Sequence, residues 1–424
     1  MISKLSSKGI SMFAAKAKRL VRHALGLPLY WFSFLIPRQQ NLWIFGAWFG
    51  RRYADNSRHL FEYIYTHQCS IRAVWLSHER EIIERLRSRG YEAYLINSWA
   101  GYWLSCQASL VVVSTGGADV NRVGISRARG LQLFHGIPLK KIMLDDKVTM
   151  HRNLSTVRRL AHWAQATLFP FTNTRVKWDA IISTSPVVSR RFMSAYGVDE
   201  SRIAITGYPR NDILLHPDPP AIPAIEKVKE NWGAEQVICY VPTHRGEGQK
   251  SMDVLFSTLR IEALEDCLAR HNAVLLMKTH FYHRDSEALP GLARKPSRIY
   301  WLSGSEAPDL NSLLPFVDVM ITDYSSAYID YLLLDRPIIF APFDLEEYLA
   351  ADREFYEDYE SVTPGPRCAN WEAVIRALDE VLTGNDQYQQ ARAAERAKYH
   401  AFTDAYSCQR VFKLAHGIVS DERV

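Results

Sequence analysis

Residues 317–342 read VDVMITDYSSAYIDYLLLDRPIIFAP. Two short apolar runs, VDVMIT (317–322) and PIIFAP (337–342), flank a polar turn and a helical stretch. Apolar runs without polar alternation belong to parallel strands covered on both faces. Strand, turn, helix and strand in that order make one crossover unit of a doubly wound sheet. The turn Thr322-Asp323-Tyr324-Ser325-Ser326 leads straight into the helix, and Ser325 is its expected N-cap. The free N–H groups behind such a cap make a phosphate site, with the Ser and Thr hydroxyls as extra donors. Asp330 follows about one turn later, where its carboxylate meets either a ribose hydroxyl or solvent.

The same alternation runs outward through the chain. LWIFG (42–46), IRAVWL (71–76), SLVVVS (109–114), LQLFHG (131–136) and DAIIST (179–184) read as strands. VICYVP (237–242) and AVLLMKTH (273–280) follow. Between the two sets lies HPDPPAIPA (216–224), whose prolines mark a linker. Residues 386–400 and 408–416 read as closing helices. The expected fold is α/β and GT-B-like: two doubly wound parallel-sheet domains with a cleft between them and a basic N-terminal amphipathic helix. The expected boundaries are a membrane-associating segment at 1–40, an acceptor-side domain at 41–215, the linker at 216–224 and a donor-binding domain at 225–424.

Composition agrees with a folded protein of this size: 424 residues, 47% apolar and 23% charged. The net charge of +5 is unevenly placed. Nine of the 51 basic residues precede the first acidic residue, Asp55, and the remaining 42 face 46 acidic ones. A mildly acidic body with a basic front does not suggest a general nucleic-acid-binding surface. The six cysteines form no CxxC pair, so they read as free core thiols, and neither a zinc site nor another metal site is expected.

In the basic front, Ile10, Phe13, Ala17, Leu20, Val21 and Ala24 recur at helical spacing opposite Lys8, Lys18, Arg19 and Arg22. That pattern suits a helix lying in a membrane interface, with Tyr30, Trp31 and Phe32 at the headgroups. The alternative is a helix docked on the protein itself. The apolar run 24–36 is too short to span a bilayer.

Several polar strings sit just after strands, where α/β proteins place ligands. Phe134-His135-Gly136-Ile137-Pro138-Leu139-Lys140-Lys141 puts an imidazole at a strand end, poised to take a proton, with lysines behind it for an anion. Gly207-Tyr208-Pro209-Arg210-Asn211-Asp212 is a tight turn in which Arg210 and Asp212 can pair locally. Pro242-Thr243-His244-Arg245 offers a guanidinium that matches phosphate oxygens. Lys278-Thr279-His280 offers two more cationic or near-cationic groups. Ser114-Thr115-Gly116-Gly117 lacks the spacing of a dinucleotide or P-loop motif. Asp145-Asp146 reads as a solvated turn rather than a metal pair.

Taken together and in order, HGIPLKK (135–141), GYPRND (207–212), PTHR (242–245), KTH (278–280) and TDYSSAYIDY (322–331) resemble the CDP-glycerol glycerophosphotransferase family of teichoic-acid and capsule synthesis. NLWIFGAWFG (41–50) followed by ADNS (54–57) looks like the family's shorter, primase-like members. The resemblance implies transfer of glycerol phosphate from CDP-glycerol to a hydroxyl of a lipid-linked saccharide or polymer, with release of CMP. It implies no metal and no cofactor beyond the donor substrate. It implies a peripheral enzyme on the cytoplasmic face of the membrane, drawn to an anionic surface. His135 and His280 become the catalytic pair, His135 as base toward the acceptor. Arg245, Lys278, Thr322, Asp323, Ser325, Ser326, Asp330, Lys140 and Arg210 become substrate-binding residues. Ile142-Met143 and Asp404-Ala405 depart from the family pattern, at positions that bear on the acceptor. A CDP-ribitol transferase on the same scaffold, a nucleotide-sugar glycosyltransferase and a non-catalytic scaffold remain alternatives.

Overall fold

The computed structural model describes residues 21, 23–67, 70–146, 156–173, 178–243, 255–278, 297–302, 309–351 and 354–420. The chain forms two compact units. The first comprises Met1–His135, Asn153–Ile182 and Cys408–Val424; the second comprises Gly136–Arg152 and Ser183–Ser407. The proline-rich stretch therefore does not coincide with this division. Residues 139–141 pair with 354–356 through Lys141 N–H to Glu354 O (2.7 Å) and Tyr356 N–H to Leu139 O (3.1 Å), which draws 136–152 into the second unit. Arg191, in the helix Pro186–Tyr196, donates to Pro138 O at 2.7 Å and ion-pairs with Glu357, which brings 183–215 with it.

The first unit is built on parallel strands β1 (Gln39–Gly46), β2 (Arg72–Ser77), β3 (Ala93–Leu95), β4 (Ala108–Val113), β5 (Arg129–Gln132) and β6 (Ala180–Ser183). Their order is β3-β2-β1-β4-β5-β6. The central strands are buried on both faces, as their apolar runs require. Gly46 ends β1 where a Cβ would lie 2.2 Å from the Asp119 carbonyl oxygen, so only glycine fits there. The closing helix Ser407–Ser420 lays Phe412 on Trp43 of β1, with ring centroids 5.6 Å apart.

In the second unit, after the short β7 (Ile203–Ile205), come β8 (Gln236–Val241), β9 (Ala273–Met277), β10 (Ile299–Trp301), β11 (Val319–Thr322) and β12 (Ile338–Phe340). They form a parallel sheet in the order β10-β9-β8-β11-β12. The helices Ile261–Arg270 and Trp371–Leu382 bury Leu264, Cys267, Trp371, Val374 and Leu378 in one core with Ile238, Tyr240, Leu275 and Met277. At about 25 cal/mol per Å² of apolar surface, burial of this kind dominates the stability of each unit.

Of the N-terminal segment, residues 1–20 and 22 lie outside the described residues. Residues 23–32 are helical and pack in the first unit, with Tyr30 against Phe171 at 5.7 Å. No described helix is long and apolar enough to cross a membrane.

Candidate functional site

In each sheet the strand order reverses at one place, and crevices beyond the carboxyl ends of such strands are where open α/β sheets bind ligands. The first sheet reverses between β1 and β4, and the second between β8 and β11.

At the first reversal stands His135. The run LQLFHG places the end of the preceding strand at residue 136, but β5 ends at Gln132. Phe134 has a left-handed φ of 55°, which breaks the strand just before His135. Asn56 holds that break, donating from Nδ2 to the carbonyls of Leu133 and Phe134, both at 3.0 Å. His135 Nδ1 lies 3.2 Å from the Ser114 carbonyl oxygen. A carbonyl only accepts, so Nδ1 carries the proton and the lone pair sits on Nε2, the tautomer a general base needs. Ser114 is itself fixed, its Oγ 2.7 Å from Ser57 Oγ.

The other wall is the turn after β1. Trp48 and Phe49 both have left-handed φ, 50° and 57°, followed by Gly50 at 73°. For the two non-glycine residues this costs about 1–2 kcal/mol each, so the surroundings must impose it. Trp48 N–H donates to Thr115 Oγ1 at 3.1 Å, and the indole N–H donates to the Asp55 carboxylate. The Trp48 ring then lies 5.3 Å from the His135 ring, with the Arg52 guanidinium 4.8 Å from its centroid.

The Ser114–Gly117 loop is not a phosphate cradle. The backbone N–H groups of Ser114, Thr115 and Gly116 all donate to the buried Asp119 carboxylate. Burial pushes that carboxyl up to about 6, against the hydrogen bonds that hold it down. Trp48, Asn56, Ser114 and Asp119 were given no role in the sequence reading. An Asp a few residues beyond a Ser-Thr-Gly-Gly strand end is the signal that was available for the last of them.

At the second reversal the TDYSS turn joins the PT turn after β8. Asp323 Oδ1 accepts from Thr243 N–H (2.8 Å), Thr243 Oγ1 (2.6 Å) and Tyr324 N–H. Thr322 Oγ1 donates to Val241 O at 2.7 Å. Thr322 and Asp323 are fully buried, and these bonds knit the two turns together. Ser325 and Ser326 are half-buried. The helix that follows is Ala327–Tyr331, only five residues, and Ser326 rather than Ser325 occupies its N-cap position, without a side-chain cap. Ser325 Oγ instead accepts from Ala327 N–H at 3.3 Å. So short a helix has little macrodipole, and any anion held here meets individual N–H and O–H donors. Lys278 follows β9 beside β8, its N–H donating to Tyr240 O at 2.9 Å.

Two pairings expected from the sequence are replaced. Asp330 is buried, not exposed, and it ion-pairs with Arg210. Asp212, which the sequence leaves able to pair with Arg210, accepts from Ser407 N–H at 2.8 Å. Asp330 also accepts from Asn211 Nδ2 at 3.0 Å, and Asn211 Oδ1 accepts from Asn311 Nδ2 at 3.0 Å. A carboxylate withdrawn from water needs such partners to remain charged.

The network also gathers the separate motifs. Tyr208 OH donates to Gly136 O at 3.1 Å. A Cβ on Gly136 would stand 3.3 Å from Ser326 Oγ and 3.4 Å from Arg210 Nη2. Lys140 Nζ lies 4.4 Å from the Tyr348 ring, which stacks on Tyr324 of the TDYSS turn at 4.1 Å. So Gly136, Lys140, Arg210 and Ser326, distant in sequence, share one region of the second unit. Arg245 and His280 lie outside the described residues.

Among the described residues, the candidates for metal chemistry are already engaged. Asp145 accepts from Ser194 Oγ and Tyr356 OH, both at 2.6 Å. Cys267, His271 and Asp379 come together, but Asp379 is held by His271 and Arg270, and burial raises the Cys267 thiol away from the thiolate a metal takes.

A family model described as CDP-Glycerol:Poly(glycerophosphate) glycerophosphotransferase matches residues 29–417. The teichoic acid glycerol-phosphate transferase of Staphylococcus aureus (strain NCTC 8325 / PS 47) is 29% identical over 402 residues, 93% of this chain and 97% of that protein. A teichoic acid poly(glycerol phosphate) polymerase of Staphylococcus epidermidis is 25% identical over 390 residues, 89% of this chain and 51% of the polymerase. Among solved structures, a variant of the wall teichoic acid polymerase TagF soaked with CDPG superposes with a TM-score of 0.74 at 21% identity. The match covers 96% of this chain and 99% of the TagF chain, a likeness of fold.

Proposed function

The chain belongs to the CDP-glycerol:poly(glycerophosphate) glycerophosphotransferase family, and we propose that it transfers glycerol phosphate from CDP-glycerol to a hydroxyl of a membrane-lipid-linked acceptor, releasing CMP. The product is a teichoic-acid-like or capsular polymer or its first unit. The observation that carries this reading is the gathering of Gly136, Arg210 and Ser326 from three motifs into one region.

In the proposed reaction the acceptor oxygen attacks the β-phosphorus of CDP-glycerol. A new P–O bond forms, and the P–O bond to CMP breaks, CMP taking the electron pair. The acceptor proton passes to Nε2 of His135. The Ser325 and Ser326 hydroxyls, Lys278 and Lys140 stabilise charge that builds on the phosphoryl oxygens. Thr322, Asp323, Asp330 and Arg210 shape that region from within. His280 and Arg245 join the donor phosphates on the resemblance alone. Holding acceptor and donor in line supplies much of the remaining rate enhancement.

We place the enzyme peripherally on the cytoplasmic face. The basic segment before Asp55 favours an anionic surface. Support comes from Leu25, Trp31, Leu160 and Trp163, which stand 57–68% exposed on residues 23–32 and the helix Thr156–Leu168. These are the residue types that enter a headgroup layer.

The test is to supply purified protein with CDP-glycerol, CDP-ribitol or a UDP-sugar over a lipid-linked acceptor and to follow nucleotide release. CMP from CDP-glycerol supports the proposal. CMP from CDP-ribitol alone points to the ribitol enzyme, and UDP release alone refutes the phosphotransferase reading. Deleting residues 1–20 should weaken binding to anionic vesicles in a salt-dependent way, and unchanged binding removes that segment from the membrane role.

A further inference from the structure

Asp119 has no role in the reaction as proposed, yet both loops that flank His135 are fastened to it. It is fully buried at the reversal point of the first sheet. Its Oδ2 accepts N–H groups from Ser114 (3.1 Å), Thr115 (2.7 Å) and Gly116 (3.2 Å), and its Oδ1 accepts Phe49 N–H at 2.7 Å. The first three fix the loop whose Ser114 carbonyl receives the His135 Nδ1 proton. The fourth fixes the left-handed turn whose Trp48 ring flanks the imidazole. Four N–H groups pointed at one carboxylate are more than a tight turn requires. They bridge two loops 70 residues apart in sequence, each with a contact to the same histidine.

We infer that Asp119 is a positioning residue for His135. By fixing the Ser114 carbonyl, it keeps the proton on Nδ1 and the lone pair on Nε2. By holding the Trp48–Phe49 turn, it limits rotation of the ring. The inference rests on His135 acting as the base. A carboxylate that touches a catalytic histidine directly is worth about 10⁴-fold through this tautomer effect, and one peptide carbonyl removed the effect should be smaller.

The experiment uses the full chain with ¹⁵N-labelled histidine and the variants Asp119→Asn and Asp119→Glu. The His135 signals are assigned by their loss in His135→Gln. In folded Asp119→Asn, the spectrum should move from the tautomer with the Nε2 lone pair toward a mixture. In the same variant kcat should fall about ten- to a hundredfold, while KM for CDP-glycerol changes less than about twofold. An unchanged tautomer spectrum in the folded variant overturns the inference, whatever the activity. If Asp119→Asn does not fold at the assay temperature, Asp119→Glu, which keeps the charge but displaces the oxygens, decides by the same spectrum. A shifted spectrum with undiminished kcat leaves Asp119 positioning His135 but removes His135 as the base, so the two claims fail separately.

Discussion

Replacing Asp330 by Asn tests the buried network under the TDYSS turn. The Asp330 side chain is 1% exposed and that of its partner Arg210 is 9% exposed. Asn keeps the shape and one acceptor oxygen, but the guanidinium loses its counter-charge while remaining out of water. Removing one partner of a buried ion pair costs about 3–5 kcal/mol. With one acceptor retained, about 2–4 kcal/mol is expected. Urea unfolding followed by tryptophan fluorescence reads this as a lower midpoint at unchanged slope. Arg210→Met with Asp330→Leu removes both charges together and should cost clearly less than the sum of the single changes, a coupling of roughly 2 kcal/mol or more. Because Gly136 lies close to both Arg210 and Ser326, KM for CDP-glycerol should rise in Asp330→Asn even where the protein is folded. A destabilisation under about 0.5 kcal/mol, or strictly additive costs, would refute the assignment of Asp330 as a buried structural charge.

Two further outcomes follow from the same unit. Burial lowers the pKa of His400, whose Nε2–H donates to Ile329 O at 2.7 Å. The unfolded chain therefore binds a proton that the native state does not as pH falls below about 6.5, so stability is fully present above that pH and declines beneath it. His400→Gln should flatten the decline in unfolding midpoints measured from pH 7.5 to 5, and an unchanged slope would remove His400 as its source. Gly136, at a φ of 155°, occupies backbone space that other residues rarely enter. Gly136→Ala should lose about 1–3 kcal/mol and raise the donor KM, and a variant with wild-type midpoint and kinetics would show that the close approach to Ser326 is immaterial.

Strands lying in uninterrupted apolar runs were legible from sequence: β1, β2, β4, β8, β9, β11 and β12 fall where the runs place them. β3, β7 and β10, three residues each, were missed; β12 is as short but was legible because prolines frame its apolar run PIIFAP. Strand ends were drawn too long where local geometry overrode composition, as at Phe134, whose left-handed φ is held by the Asn56 amide. The motif strings led to His135, Lys140 and the TDYSS turn, but not to the state of their side chains. Asp330 reads from sequence as meeting a ribose hydroxyl or solvent because Arg210, 120 residues earlier, gives no local sign that it pairs there. The helix after TDYSS tightens into a 3₁₀ turn at Leu332–Leu334 and ends at Asp335, whose φ is 52°.

The central claim is that His135 takes the proton from an acceptor hydroxyl as glycerol phosphate leaves CMP. Acceptor-dependent CMP release from CDP-glycerol by His135→Ala, measured beside the wild-type protein, tests it most directly. With His135 as the base, kcat should fall by about 10²–10⁴-fold while the unfolding midpoint and the CDP-glycerol KM stay near wild type. Turnover within a few-fold of wild type in the folded variant would contradict it.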